Sequence, residues 1–419
     1  MTPRDRSPFI DVDTSSIPEN AMTGAAQSSM GGPLQGLRVI EVAGIGPGPY
    51  AGMLLADLGA DVIRVARPGS DESAGLDPTL RNRRSMILDL KQPDALSILL
   101  QLVEQSDVLL EGFRPGVAER LGFGPHDCQL RNPRLIYARI TGWGQEGPLA
   151  KTAGHDINYI ALTGMLHQIG ASTGKPVPPL NVIGDFGGGG LMVAFGILCA
   201  VFERAKTGRG QVVDTAMIDS VASFLAPIMG LRNQGLWRDT TAGNFLSGAA
   251  HFYDTYQTRD GKWVAIGAIE PQFHALLLQG LGLNPAEFAA GVGFSSRPYD
   301  ELVTEVWPPL REKLAAAIAQ RTRDELDAIF ASSDACFTPV LSMDEAVDHP
   351  HNQARQTFID VGGIKQSAPV PRFSRSVPPT PQPPRPPGAD THAILTDLGY
   401  SKESIVDLIE RGLCGGAKI

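Results

Sequence analysis

A repeated alternation of short apolar runs with helix-period segments constrains this chain more than any other feature. "LRVIEVA" (37–43) is a continuous apolar run followed by Gly and Pro, "YAGMLLADLG" (50–59) has helical spacing, and "DVIRVA" (61–66) is a second apolar run. A strand–helix–strand unit of this kind implies a parallel sheet. "SMILDL" (85–90) reads as the next strand and "DALSILLQLVEQ" (94–105) as a helix with Asp94 as its cap. "DVLLEGF" (107–113) and "RLIYARITG" (134–142) continue the strand series. The series predicts an α/β fold, with a doubly wound, Rossmann-like large domain over residues 34–220.

Near residue 221 the pattern changes. Helical segments over 221–249 lead into "AAHFYDTYQTRDGKWVAIGAI" (249–269), two strands around the turn pair Asp260-Gly261. Helical spacing follows, including one stretch over 311–332, and predicts a smaller α+β domain at 250–335. Residues 340–374 are expected to complete the large domain. "RFSRSVPPTPQPPRPPGAD" (372–390) is proline-rich and predicts an extended linker over 375–390, ahead of a helical tail at 391–419. Residues 1–33 read as a poorly ordered tail without the apolar run of a signal peptide, with Met22 and Met30 as alternative starts.

Charge and cysteine usage narrow the function classes. The 419 residues carry a formal net charge of -9 and a pI near 5.4. That argues against a nucleic-acid surface, which needs a basic face. Any anionic ligand must be held by a local cationic cluster. Cys128, Cys199, Cys336 and Cys414 show no paired spacing, so reduced thiols in a cytoplasmic setting are expected, with no disulfide framework and no metal site. Apolar runs such as "LMVAFGILCAVF" (191–202) are short for a bilayer span, and no membrane insertion is expected.

"GPGPYA" (46–51) matches the dinucleotide pattern G-x-G-x-x-A between a strand and a helix. Two details count against NAD. Pro47 and Pro49 remove N–H donors from a loop that should donate to pyrophosphate. Arg64 and Arg67 stand where an NAD site places a ribose-binding carboxylate. A cation there suits a phosphorylated ribose, as in NADP or coenzyme A; the alternative is a tight turn lined by structural arginines. Arg81, Arg83 and Arg84 in "LRNRRS", then Lys91, Arg114 and Arg120, place further cations after successive strands, as a phosphate clamp would.

There are two His-Asp pairs. His126-Asp127 lies in a turn-rich connector and reads as a surface pair. His155-Asp156 follows Gly154 and opens "INYIALTGML", where the free N–H groups of a helix start attract negative charge. Asp156 suits a cap or first-turn carboxylate, and His155 then stands beside an oxyanion site. In "PPLNVIGDFGGGG", Asp185 sits between an extended segment and a helix start, with Asn181 four residues earlier. The triplet Asp185-Phe186-Gly187 lacks the other kinase motifs. Glycines 187–190 imply close approach of backbone or ligand. Glu270, between an apolar strand and Pro271, is either a turn residue or a group presented to a site.

"LQGLRVIEVAGIGPGPYAGMLLADLGADVIRVARPG", "RLIYARITGWGQEGP", "AGHDINYIALTG", "PPLNVIGDFGGG" and "ASSDACFTPVLSMDEAVDHPH" together resemble the family III CoA-transferase superfamily over residues 33–374. Within it they resemble the bacterial members that racemise 2-methylacyl-CoA thioesters in lipid metabolism. The resemblance implies an interlocked homodimer, with active sites between the large domain of one subunit and the small domain of the other. It puts the catalytic groups on His155 and Asp185, an active-site asparagine on Asn181, and a histidine-assisting carboxylate from the partner on Glu270. Arg67, Lys91, Arg114 and Arg120 match positions lining the coenzyme A groove.

Racemisation at C2 removes a proton from one face and returns one to the other, which needs two groups that each act as acid and base. The helix start at Asp156 would offer N–H donors to the enolate oxygen. No cofactor is implied, because coenzyme A belongs to the substrate. The nearest rival is CoA transfer, with Asp185 attacking the thioester to give a mixed anhydride. That route needs no second base, and His155 with Glu270 argues against it. An NADP-dependent oxidoreductase rests on the loop and arginines alone. A non-catalytic acyl-CoA binder leaves the ionisable groups without a task.

Overall fold

The computed structural model describes residues 31–70, 75–170, 174–292 and 297–415. Six parallel strands form the centre: β1 (Arg38–Val42), β2 (Asp61–Ala66), β3 (Arg84–Leu88), β4 (Val108–Glu111), β5 (Ile136–Thr141) and β6 (Val212–Ala216). Their order is β3-β2-β1-β4-β5-β6, so the winding reverses between β1 and β4. The strands are apolar on both faces because both are covered. Ile40, Ile63, Met86 and Leu109 pack on the helix Pro93–Glu104 through Ile98, Leu99 and Leu102. Val39, Val62, Val108 and Ile136 pack on the helices Pro47–Asp57 and Met192–Thr207 through Leu55 and Ile197. The period-two alternation of strand side chains thus separates two cores.

The C-terminal segment belongs to the first of these cores. Helices Thr391–Asp397 and Lys402–Glu410 insert Ile394, Leu395, Ile405 and Leu408 there. The strand Cys414–Gly415 then pairs antiparallel with β3, setting Cys414 opposite Leu88. The expected helical tail is present and ends in a strand: β3 would otherwise be an open edge, and this strand covers it. The expected N-terminal tail needs a similar adjustment. Residues 1–30 lie outside the described residues, but the Gly32 carbonyl accepts from the Gln35 N–H (3.0 Å) and the Leu34 N–H donates to the Leu58 carbonyl (2.9 Å).

Local boundaries also differ from expectation. Gln92, not Asp94, caps the helix Pro93–Glu104; Asp94 sits in its first turn and pairs with Arg411. The helical stretch at 311–332 is two helices, Trp307–Ile318 and Arg323–Phe330, because Thr322 starts the second in a capping box with Glu325. His126 and Asp127 occupy the first turn of a short helix, Pro125–Arg131, rather than a connector. Val182–Leu191 is a π-helical run that continues into the helix Met192–Thr207. The whole, Val182–Thr207, is long and apolar enough by length and composition to cross a membrane, contrary to the expectation from residues 191–202 alone. One side of it packs in the second core, as a core helix does.

In a separate three-stranded sheet β7 (Tyr253–Gln257) and β8 (Trp263–Gly267) form the hairpin, with Gly261 at φ 75°, and β9 (Phe337–Pro339) pairs with β8. Behind this sheet two buried histidines, His251 and His274, meet Nε2 to Nε2 at 2.9 Å amid Phe252 and Phe288. Burial pushes His251 down to about 3 and His274 to about 4, from an ordinary 6.5. Below pH 6.5 the unfolded chain therefore binds protons that the folded one does not. Stability should fall as pH drops from about 6.5 towards 4, by up to ~1.4 kcal/mol per pH unit for each histidine. Urea unfolding at pH 7 and pH 5 measures this; a midpoint insensitive to that change would refute it.

A second hairpin, β10 (Phe358–Val361) with β11 (Ile364–Ser367), returns to the large domain through Arg81. The buried Arg81 guanidinium donates to Asp57 (Nε to Oδ1, 2.9 Å), to Gln366 Oε1 (2.8 Å) and to the Ser367 carbonyl (2.8 Å).

Candidate active site

The carboxyl ends of the strands open onto a groove of about 1130 Å³ where the strand order reverses, the place where open α/β sheets take ligands. The glycine loop, the segments after β4 and β5, His155, Asn181 and Asp185 all line it.

His155 stands at the start of the helix Asp156–Leu162 in an extended backbone (φ −131°, ψ 173°), and its N–H donates to Asn158 Oδ1 at 3.0 Å. Asp185 lies in the first turn of the π-helical run Val182–Leu191. Asp156 holds the two segments together: its buried Oδ2 accepts from the N–H groups of Gly184 (2.5 Å) and Asp185 (2.8 Å). Asp156 is the expected first-turn carboxylate of its own helix, and its side chain satisfies the neighbouring helix start. Its own helix is left with the Asp156 and Ile157 N–H groups unpaired among the described residues. Position 184 must be glycine, because a Cβ there would stand 2.6 Å from Asp156 Oδ2.

The Asp185 carboxylate accepts from Asn181 Nδ2 at 3.0 Å. Burial raises its pKa above the ordinary carboxylate range; the Asn181 hydrogen bond opposes this, Asp156 adds to it, and nearby His155 lowers it. A carboxyl so raised is better matched to giving and taking a proton near neutral pH. The four glycines that follow serve backbone approach. A Cβ at Gly189 would come within 2.6 Å of Pro47 Cβ, and one at Gly190 within 2.9 Å of the Pro47 carbonyl. In the facing helix, Pro47 and Pro49 leave Gly48 as the sole N–H among the first three positions, so this helix start lacks the donors of a pyrophosphate site.

The arginines divide by partner. Buried Glu41 takes Arg64 on one side and Arg83 Nη1 (2.6 Å) on the other. Arg83 also donates to the Pro49 and Thr79 carbonyls, so it reaches the groove wall as a structural residue. Arg84 pairs with Asp61 (2.7 Å) and Asp397 (3.0 Å) and does not line the groove. The reason is alternation: Arg83 and Ser85 on either side of it line the groove, and successive strand side chains point to opposite faces. Arg120 lies beside Gly116, also outside the lining. By contrast, Arg67, Lys91 and Arg114 line the groove and have no ion-pair partner among the described residues. Unpaired cations facing one groove, in a chain of net charge -9, suit a multiply charged anion. Glu270 caps the helix Pro271–Leu281 in the small domain, is exposed, and does not line this groove.

Two aromatic residues were not singled out in the sequence. Trp143 and Tyr159 line the groove edge to face at 4.8 Å, and the Tyr159 hydroxyl donates to the Gly154 carbonyl. A Cβ at Gly142 or Gly154 would come within 2.1 or 2.8 Å of the Tyr159 ring. The available signal was the pairing of glycines with aromatics in "TGWG" and "AGHDINY". Trp143, Leu149, Ala161 and Leu162 also line an apolar recess of about 430 Å³. Arg385 and Pro387, from the segment read as a linker, complete the groove wall.

The chain is similar to known proteins along most of its length. The family model described as CoA-transferase family III matches residues 34–392. The chain is 45% identical over 378 residues to alpha-methylacyl-CoA racemase of Mus musculus, covering 90% of this chain and 96% of that protein. It is 44% identical over 377 residues to alpha-methylacyl-CoA racemase of Homo sapiens, with the same coverage of each. Among solved structures, a CAIB/BAIF family protein from Brucella suis superposes with a TM-score of 0.74 at 27% identity, over 88% of this chain and 100% of that one.

Proposed function

The chain belongs to CoA-transferase family III, and on that premise we propose that it is an isomerase, an α-methylacyl-CoA racemase interconverting (R)- and (S)-2-methylacyl-CoA thioesters. The carrying observation is the pair of acid–base groups, His155 and Asp185, presented to one groove by helix starts that Asp156 ties together. One group takes the C2 proton, and the other returns a proton to the opposite face of the planar enolate. The unpaired N–H groups of Asp156 and Ile157 are suited to the enolate oxygen. Arg67, Lys91 and Arg114 suit the coenzyme A phosphates, and the apolar recess beside Trp143 suits the acyl chain. Substrate and side chains together suffice for this reaction, so no further cofactor is proposed.

The proposed assembly is an interlocked homodimer. Supporting it, Glu270 is exposed on the small domain and away from its own chain's groove, free to reach a partner's His155. Leu191, Phe195 and Phe202 also leave an apolar face uncovered. The four free thiols support a cytoplasmic setting.

The test is incubation of a single 2-methylacyl-CoA epimer in D2O without an acceptor acid. Deuterium should enter C2, and both epimers should appear. Transfer of coenzyme A to an added carboxylate without deuteration would overturn the proposal in favour of Asp185 as a nucleophile.

A further inference from the structure

The proline-rich segment between β11 and the last helices is pinned along the β3 side of the groove. The Asn82 N–H donates to the Gln382 carbonyl (3.1 Å), and the Gln382 N–H donates to Asn82 Oδ1 (2.6 Å). Ser85 fixes the other end: its Oγ accepts from the Gly388 N–H (3.0 Å), and its N–H donates to Asp390 Oδ2 (2.9 Å). Between these anchors Arg385 and Pro387 form part of the groove wall. Asp390 Oδ2 also forms an ion pair with Arg385 Nε (3.0 Å), and the Arg385 side chain is 55% exposed. Its two terminal nitrogens have no protein partner among the described residues. A guanidinium held near its carboxylate by an ion pair, with both Nη groups free, can still offer a bidentate fork to a phosphate.

Position selects which phosphate. His155 lies on the segment that follows β5, and the Asp185 carboxylate reaches the β1 loop, 3.4 Å from where a Gly46 Cβ would stand, whereas Arg385 is anchored beside β3, with Lys91 just beyond that strand. His155 thus belongs to a strand four spacings from β3, ~19 Å across the sheet, and Asp185 reaches a loop two spacings away, ~10 Å. In an acyl-CoA the reactive thioester and the 3′-phosphate are opposite ends of the molecule, with the pyrophosphate between them. Resting on the reading of the groove as an acyl-CoA site, we propose that Arg385, carried by the C-terminal arm, binds the 3′-phosphate of coenzyme A. The arm thereby tells coenzyme A from its 3′-dephospho form.

Calorimetric titration of the full chain with free coenzyme A and with 3′-dephospho-coenzyme A tests this. Arg385→Gln should weaken coenzyme A binding about tenfold, the effect of losing one charge-assisted contact, and leave dephospho-coenzyme A binding unchanged. Arg385→Lys, which keeps a point charge, should retain part of the discrimination and serves if the glutamine variant folds poorly. Equal weakening for both ligands, or none for either, would overturn the assignment and leave the acyl-CoA reading standing. Failure of the unaltered chain to bind coenzyme A would overturn both.

Discussion

Asp185→Asn should lower epimerisation by about 10³-fold, within the range expected for losing a positioned general acid–base group, while leaving one half of the chemistry working. His155 still faces one side of C2, so one epimer should exchange its C2 proton with D2O without inverting. His155→Gln should show the converse, exchange of the other epimer alone. The asparagine is nearly isosteric, and its amide oxygen can still accept from Asn181, so the loss should reside in turnover rather than in KM. The pH profile gives a separate reading. Because burial raises Asp185 above the ordinary carboxylate range, the limb for proton removal by its carboxylate should rise with pH through that elevated value. It should vanish in Asp185→Asn. Loss of exchange from both epimers in either single variant would exclude a two-base reaction. Chiral analysis and mass spectrometry of recovered thioesters read both quantities.

Arg81→Met should produce the largest stability loss, about 3–5 kcal/mol, the usual consequence of removing one partner from a buried ion pair. Arg81 and Asp57 are each about 1% exposed, so the variant strands an uncompensated carboxylate and also cuts the ties to Gln366 and Ser367. Pairing it with Asp57→Asn removes the stranded charge. The double variant should therefore recover part of the loss, although Asn82 Nδ2 also donates to Asp57 (2.7 Å) and keeps the recovery incomplete. Urea unfolding of the two single variants and the double gives the coupling directly. Additive losses would mean that the pair contributes nothing beyond its packing.

The parallel sheet was legible because a strand buried on both faces must be apolar at every position, as "LRVIEVA" and "DVIRVA" are. His155, Asp185 and Asn181 were legible as groups at segment starts, and all three line the groove. The arginines were less legible, since composition cannot distinguish Arg84, paired at the amino end of β3, from Lys91, open to the groove past its carboxyl end. Asp156 was legible as a first-turn carboxylate, but its partners were not. A carboxylate at a helix start ordinarily serves that helix, and only the tertiary fold brings Gly184 within 2.5 Å. Arg385 stayed hidden because a proline-rich run signals extension and not what it extends across.

The closure of β3 by Cys414–Gly415 sets an order on biosynthesis. During translation β3 leaves the ribosome more than three hundred residues before the strand that covers it. For most of that interval the growing polypeptide carries an unsealed sheet edge and a vacancy where Ile394 and Leu408 will sit. Only the emergence of residues 391–415, rather than any earlier stage of elongation, closes this edge and fills this core. A chain cut before residue 391 would keep His155 and Asp185 but leave that edge open to its neighbours.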